Sequence, residues 1–222
     1  MEKAATTLKT RVAALRERHR ELRRNGAGGL ELAHSFADAA ADVVREAWTA
    51  ALTAECVSEK EIAAGVALVA VGGFGRRELC PFSDIDLVIV HSPRSDDRLP
   101  AVVKRAVREI WDAGLALGQN VATVKQLLTQ AKTDVTLATG LFSARPIWGA
   151  DKLASDLSEQ FRKSVVNGGR AKLEQQLDAS MTEEFQRFGA TAHLVEPNVK
   201  RSAGGLRHVQ YIHWSGLLRG VG

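Results

Sequence analysis

Apolar residues recur at helical spacing from the first decade of the chain. Leu8, Val12, Leu15 and Leu22 fall near one face, and "NGAGG" at 25–29 ends the helix they predict. A second helix is predicted from about Leu30 to Ala54, with Leu32, Phe36, Val43 and Ala47 on its apolar side. The pattern then changes. "GVALVAVGG" (65–73) is short, rich in β-branched residues and closed by glycines, which predicts a buried strand. "IDLVIV" (85–90) predicts the next strand, "SPRSDDRLP" (92–100) a polar loop, and 101–113 a helix. "GQNVATV" (118–124) is a candidate third strand. Beyond it the pattern is mainly helical. A helix is expected to start within "TDVTLATGLFSAR" (133–145), with Thr133 or Asp134 near its cap. "ADKLASDLSEQFRKSV" and "GGRAKLEQQLDASMTEEFQRF" predict two more helices, separated by "NGG" at 167–169. The order predicts an α+β fold, a small mixed β-sheet core (55–150) flanked by N-terminal helices (1–54) and a helical C-terminal region (151–222).

Composition narrows the setting. With 222 residues, 45% apolar and 25% charged, the chain has material for one large domain, or a catalytic domain with a smaller companion. No apolar run approaches the roughly 20 residues of a membrane helix, so no membrane partner is expected. Cys56 and Cys80 show no spacing pattern for a disulfide framework or a zinc site, and the expected location is the cytoplasm. Residues 1–24 carry eight Lys/Arg against three Glu, whereas the other 198 residues sum to −1. A nucleic-acid footprint needs basic residues on the globular part, so none is expected. Glu2, Glu17 and Glu21 also argue against a transit peptide, leaving a solvated helix face as the plain reading.

One stretch carries chemistry: "VGGFGRRELCPFSDIDLVIV", residues 71 to 90. On a strand, Asp84 and Asp86 point to the same face, with Ile85 and Leu87 toward the core. Their Cα atoms are expected about 6.6 Å apart, and at an effective dielectric near 20 the two charges repel by about 2.5 kcal/mol. Buried and unpaired, such carboxylates would be costly, and a divalent cation turns that cost into attraction. Oxygen ligands with room for substrate phosphates suit Mg²⁺, or Mn²⁺. Gly72 and Gly73 let backbone N–H groups approach an anion, and a short helix starting at "FGRREL" would add positive potential, supplemented by Arg76 and Arg77. The dinucleotide fingerprint fails because Glu78 stands where its third glycine belongs, and no P-loop Gly-Lys-Ser/Thr occurs.

Hydrophobic-Gly-Gly, a spacer, then Asp-x-Asp resembles the nucleotidyltransferase superfamily typified by DNA polymerase β. "ALVAVGGFGRRELCPFSDIDLVIV" further resembles the catalytic block of the uridylyltransferases that modify the PII nitrogen-signalling protein. "DVTLATGLFSAR" and "EPNVKRSAGGLRHVQYIHW" (196–214) are similar to two later blocks of that family. The resemblance implies transfer of UMP from UTP to a tyrosine hydroxyl of PII, with pyrophosphate released. It implies that Asp84 and Asp86 hold Mg²⁺ as the catalytic pair and that Gly72 and Gly73 contact the triphosphate; Arg76, by its charge near the turn, and Ser83, just before the metal pair, are further candidates for the nucleotide site. Lys200 and Arg207 would touch phosphate or hold the helical region in place.

Three departures stand out. The superfamily often has a third carboxylate on a following strand, whereas "GLALGQNVAT" offers Ala116, Leu117 and Gln119; Asp112 and Asp134 are the acids nearest in sequence. The family's "GGLRD" is "GGLRH" here, and His208 is expected to be a hydrogen-bonded structural residue. No His-Asp pair occurs, and no room remains for the phosphohydrolase and glutamine-sensing domains, so a fragment of a longer enzyme or a reduced relative is expected. The alternatives are a non-catalytic nucleotide-binding regulatory module, or a relative using another nucleotide or acceptor.

Overall fold

All five residues of β1 (Val66–Ala70) are buried, as a continuous apolar run requires of a strand covered on both faces. In this computed structural model, which describes residues 2–188, 196 and 198–220, β1 lies inside a four-stranded mixed sheet. β2 (Ile85–His91) pairs antiparallel with β1, placing Ala70 opposite Leu87 and Val69 opposite Val88. β3 (Leu117–Ala122) runs parallel to β2, with Gly118 opposite Asp86. β4 (Arg145–Gly149) pairs antiparallel with β1 on the other edge, giving the order β3-β2-β1-β4. The α+β expectation thus holds.

β4 was not expected. "RPIWG" is short and contains Pro146, which cannot donate to a ladder and so suits only an edge or an irregularity. Its pairing with β1 shifts register between Leu68 and Val69, at the pair that includes Pro146. Only the neighbouring strand makes this segment β.

The contacts divide the chain into two compact units, residues up to 126 with 143–157, and 127–142 with 158–220. Residues 1–54 fall wholly within the first unit, whereas the segments expected at 55–150 and 151–222 each contribute to both. In the first unit, α1 (Glu2–Arg24), α2 (Gly29–Ala54) and α5 (Leu99–Asp112) pack with the sheet around one core that includes Val12, Trp48, Leu68, Ile89 and Ile110. α2 buries Phe36, Val43, Val44, Trp48 and Leu52. At about 1.5–3 kcal/mol for each large side chain, that stripe far outweighs exposed pairs such as Arg45–Asp42, each worth up to about 1 kcal/mol. The short helices α3 (Glu59–Ile62) and α4 (Gly72–Gly75) complete the links before and after β1.

The other elements are α6 (Val124–Ala131), α7 (Val135–Leu141), α8 (Asp151–Phe161), α9 (Gly168–Phe188) and α10 (Leu206–Arg219). Asp134 caps α7, accepting from the N–H groups of Thr136 and Leu137 at 2.8 and 3.1 Å. "NGG" does not separate two helices. Residues Arg162–Asn167 form a π-helical stretch that leads into α9 at Gly168. Leu141, Phe161, Leu173, Leu177 and Trp214 are buried in the second unit, where Phe142 meets Phe161 edge-on at 5.3 Å. Among the described residues no helix is long and apolar enough to cross a membrane.

Candidate active site

Asp86 lies on β2 and Asp84 immediately before it; both are exposed, while Ile85 and Leu87 between and beyond them are buried. The alternation is as expected; the burial of the carboxylates is not. They stand at the start of β2, on the wall of a cleft. Taking the expected 6.6 Å spacing and a dielectric near that of water, their repulsion falls to about 0.6 kcal/mol. The case for a cation therefore rests on geometry, not on relief of a desolvated pair.

That geometry centres on Asp86. The Val71 N–H donates to the Asp86 carbonyl at 3.1 Å, which fixes the diglycine turn beside β2. A β-carbon at Gly72 would stand 3.1 Å from Asp86 Oδ2, and one at Gly118 on β3 would stand 3.3 Å from Oδ1. The carboxylate thus lies between two glycines, one from each flanking chain segment. Gly72 also has φ +57°, a conformation that glycine adopts without strain. The short helix begins at Gly72 itself, not at Phe74, and at four residues it supplies little dipole.

The arginines face inward to their own loop and to α2. Arg76 Nε donates to Glu78 Oε2 at 2.6 Å. Arg77 donates to both Asp38 carboxylate oxygens, through Nε and Nη2, and this hydrogen bonding holds the Asp38 carboxyl below the usual carboxylate range. Ser83 is a turn residue here: its Oγ accepts from the Cys80 N–H at 3.2 Å, and its own N–H donates to the Cys80 carbonyl.

Sequence reasoning missed the residues that hold this turn. Ser143 Oγ donates to the Gly72 carbonyl at 3.1 Å. Arg145 donates to the carbonyls of Phe74 and Gly75 at 3.2 and 3.3 Å and lies over the Phe74 ring. Burial pulls its guanidinium pKa down. Their signal was present, since both belong to the "FSAR" end of the second family-like block. Arg16 on α1 donates to the Gly114 carbonyl at 2.7 Å and the Pro81 carbonyl at 3.4 Å, linking the loops on either side of the aspartates. One basic residue of the N-terminal helix thus has a definite role.

A cleft of about 590 Å³ opens beside the pair, lined by Asp84, Asp86, Trp111 and the segment 114–118. β3 places Gly118 and Asn120 opposite Asp86 and Val88, so it brings no acid to the site. Asp112 pairs with Arg108 at 3.6 Å, and Asp134 is spent as a helix cap. Among the described residues, no group of three or more His, Cys, Asp or Glu is arranged to hold a metal. Two exposed carboxylates remain a fitting donor set for Mg²⁺, which characteristically takes one or two protein carboxylates and completes its shell with water and substrate phosphate.

The residues of the third block belong to the second unit. Arg207 lies 3.6 Å from Glu184, donates to Gln210 at 3.2 Å and packs over Trp214; Lys200 is exposed. His208 Nδ1 accepts from the Gly204 N–H at 2.8 Å and stacks on Phe185, the structural role expected of it.

Residues 170–220 match the model of the GlnD PII-uridylyltransferase family. A bifunctional uridylyltransferase/uridylyl-removing enzyme of Phenylobacterium zucineum is 35% identical over 86% of this chain and 20% of its own length. Relatives of the same name from Burkholderia orbicola and Thiobacillus denitrificans are 35% and 37% identical, over 90% and 74% of this chain and 22% and 19% of theirs. This chain belongs to the PII-uridylyltransferase family. It spans about a fifth of the length of the curated relatives it matches. The residues matched by the family model include most of α9 and all of α10.

Proposed function

We propose that this chain is a metal-dependent nucleotidyltransferase that moves UMP from UTP to a tyrosine hydroxyl of a PII-type signalling protein, releasing pyrophosphate. The observation that carries this reading is the placement of the Asp86 carboxylate between Gly72 and Gly118, with Asp84 on the rim of the same cleft. Asp84 and Asp86 would hold Mg²⁺, or Mn²⁺, which when bound neutralises phosphate charge and polarises the α-phosphate. The backbone of Gly72 and Gly73 meets the triphosphate. Arg76 and Ser83 serve the nucleotide site indirectly, by shaping the loop between turn and strand. The phenol oxygen of the acceptor forms a bond to the α-phosphorus as the bond to the α,β-bridging oxygen breaks. That electron pair leaves with pyrophosphate, and the phenol proton passes to solvent. We place the reaction in the cytoplasm, where exposed free thiols such as Cys56 and Cys80 persist in reduced form.

Asp84→Asn and Asp86→Asn are each expected to abolish transfer of radiolabelled UMP to PII without changing the thermal unfolding of the apo-protein. Full activity in either variant defeats the proposal. The absence of an acid on β3 favours one second reading, a nucleotide-binding regulatory module. Calorimetry with UTP and Mg²⁺ beside a pyrophosphate-release assay separates the two, because the module binds without turnover.

A further inference from the structure

The cleft beside Asp84 and Asp86 has a sidedness that the proposed reaction does not use. Sheet order puts β2 between β1 and β3, so Asp86 has the diglycine turn on one side and Gly118 on the other. The cleft opens on the β3 side: Trp111 and 114–118 line it, and neither Gly72 nor Gly73 does. Apart from the two aspartates, its walls are apolar or glycine: Trp111, Gly114, Leu115, Ala116, Leu117 and Gly118. Among the described residues no cationic side chain lines it, and of its lining Arg16 reaches only the Gly114 carbonyl, so it suits a neutral, flat group better than a triphosphate. Trp111 is 56% exposed, yet its indole N–H is tied to the Leu117 carbonyl at 3.2 Å. An exposed ring pinned at one edge forms a preorganised platform.

In-line substitution at phosphorus places the attacking oxygen opposite the leaving group. With phosphates at the diglycine turn, the attacking oxygen enters from the β3 side. We propose that this cleft is the acceptor subsite, and that Trp111 seats the aromatic ring of the partner protein's tyrosine, aiming its hydroxyl at the aspartate rim. The inference rests on the nucleotidyltransferase reading. Its cavity, about 590 Å³, is ample for one inserted side chain with part of its loop.

The test titrates the full chain with a PII-type protein, and separately with UTP plus Mg²⁺, following each by calorimetry. Trp111→Ala is expected to weaken acceptor binding about tenfold while leaving UTP affinity within about twofold. Trp111→Phe keeps a ring but loses the tether to Leu117, and should lose no more than about threefold. Equal thermal unfolding of all three proteins shows that the fold is kept. Unchanged acceptor affinity in Trp111→Ala overturns the assignment. So does a selective loss of UTP affinity, which hands the cleft to the nucleobase. Failure of the wild type to bind UTP defeats the catalytic reading instead, and the acceptor titration still decides whether Trp111 forms a docking platform.

Discussion

Adding one methyl group at Gly118 tests the site without touching a ligand. The new β-carbon would lie 3.3 Å from Asp86 Oδ1, inside the 3.5–4.0 Å of comfortable packing, so the carboxylate must yield by a few tenths of an ångström. Gly118 does not require a left-handed backbone, and alanine in a strand is favoured over glycine by about 0.5–1 kcal/mol. Gly118→Ala is therefore expected to be as stable as the wild type or slightly more so. Its affinity for Mg²⁺-UTP should nonetheless fall about three- to tenfold, because a displacement of a few tenths of an ångström takes up most of the roughly 0.5 Å within which such sites hold their productive geometry. Gly72→Ala makes the same contact from the other side, at 3.1 Å, but at φ +57° it also costs about 1–2 kcal/mol of backbone strain. The pair thus separates two effects. Urea unfolding should register only Gly72→Ala, whereas calorimetric titration with UTP and Mg²⁺ should register both. Wild-type affinity in both variants would refute the idea that Asp86 acts from between these glycines.

Two further outcomes follow from the supporting residues. Arg145→Ala removes the donors to the Phe74 and Gly75 carbonyls together with the ring contact, and should cost about 2–3 kcal/mol in urea unfolding. Nucleotide affinity is expected to drop as the diglycine turn loosens. Glu109 on α5 has a buried Oε2 without a hydrogen-bond partner among the described residues, and burial raises its pKa above the usual carboxylate range. A carboxyl whose folded pKa is raised penalises the native state above that pKa, and the penalty fades as pH falls through it toward the unfolded value. Glu109→Gln should therefore raise the Tm at pH 7, with the gain shrinking toward pH 4. A gain that is flat across that range would show that charge is not the cause.

Much of the fold was legible because its signals are local. Leu8, Val12 and Leu15 bury one face of α1, Phe36, Val43 and Ala47 do so in α2, and both helices stop near the predicted points. β1 and β2 follow from runs of apolar residues, and β3 falls within one residue of the start of the candidate strand "GQNVATV". β4 was illegible because a proline-bearing pentapeptide has no strand preference of its own and becomes β only against β1. The diglycine and the two aspartates could be read as a unit from their spacing. Their exposure could not, since an Asp at the mouth of a strand and an Asp within it leave the same pattern in the chain.

What residue order settled by itself was periodicity, and with it the helices, the central strands and the shared face of Asp84 and Asp86. Tertiary structure decided the partners. It brought Gly118 of β3 against the Asp86 carboxylate from 32 positions away in the chain, and it sent Arg145 and Ser143 back to hold a turn some 70 residues earlier. It also turned Arg77 toward Asp38 on α2. The reason is physical: strand and helix preferences act over a few residues, whereas hydrogen bonds and close contacts depend on which segments the sheet order makes neighbours.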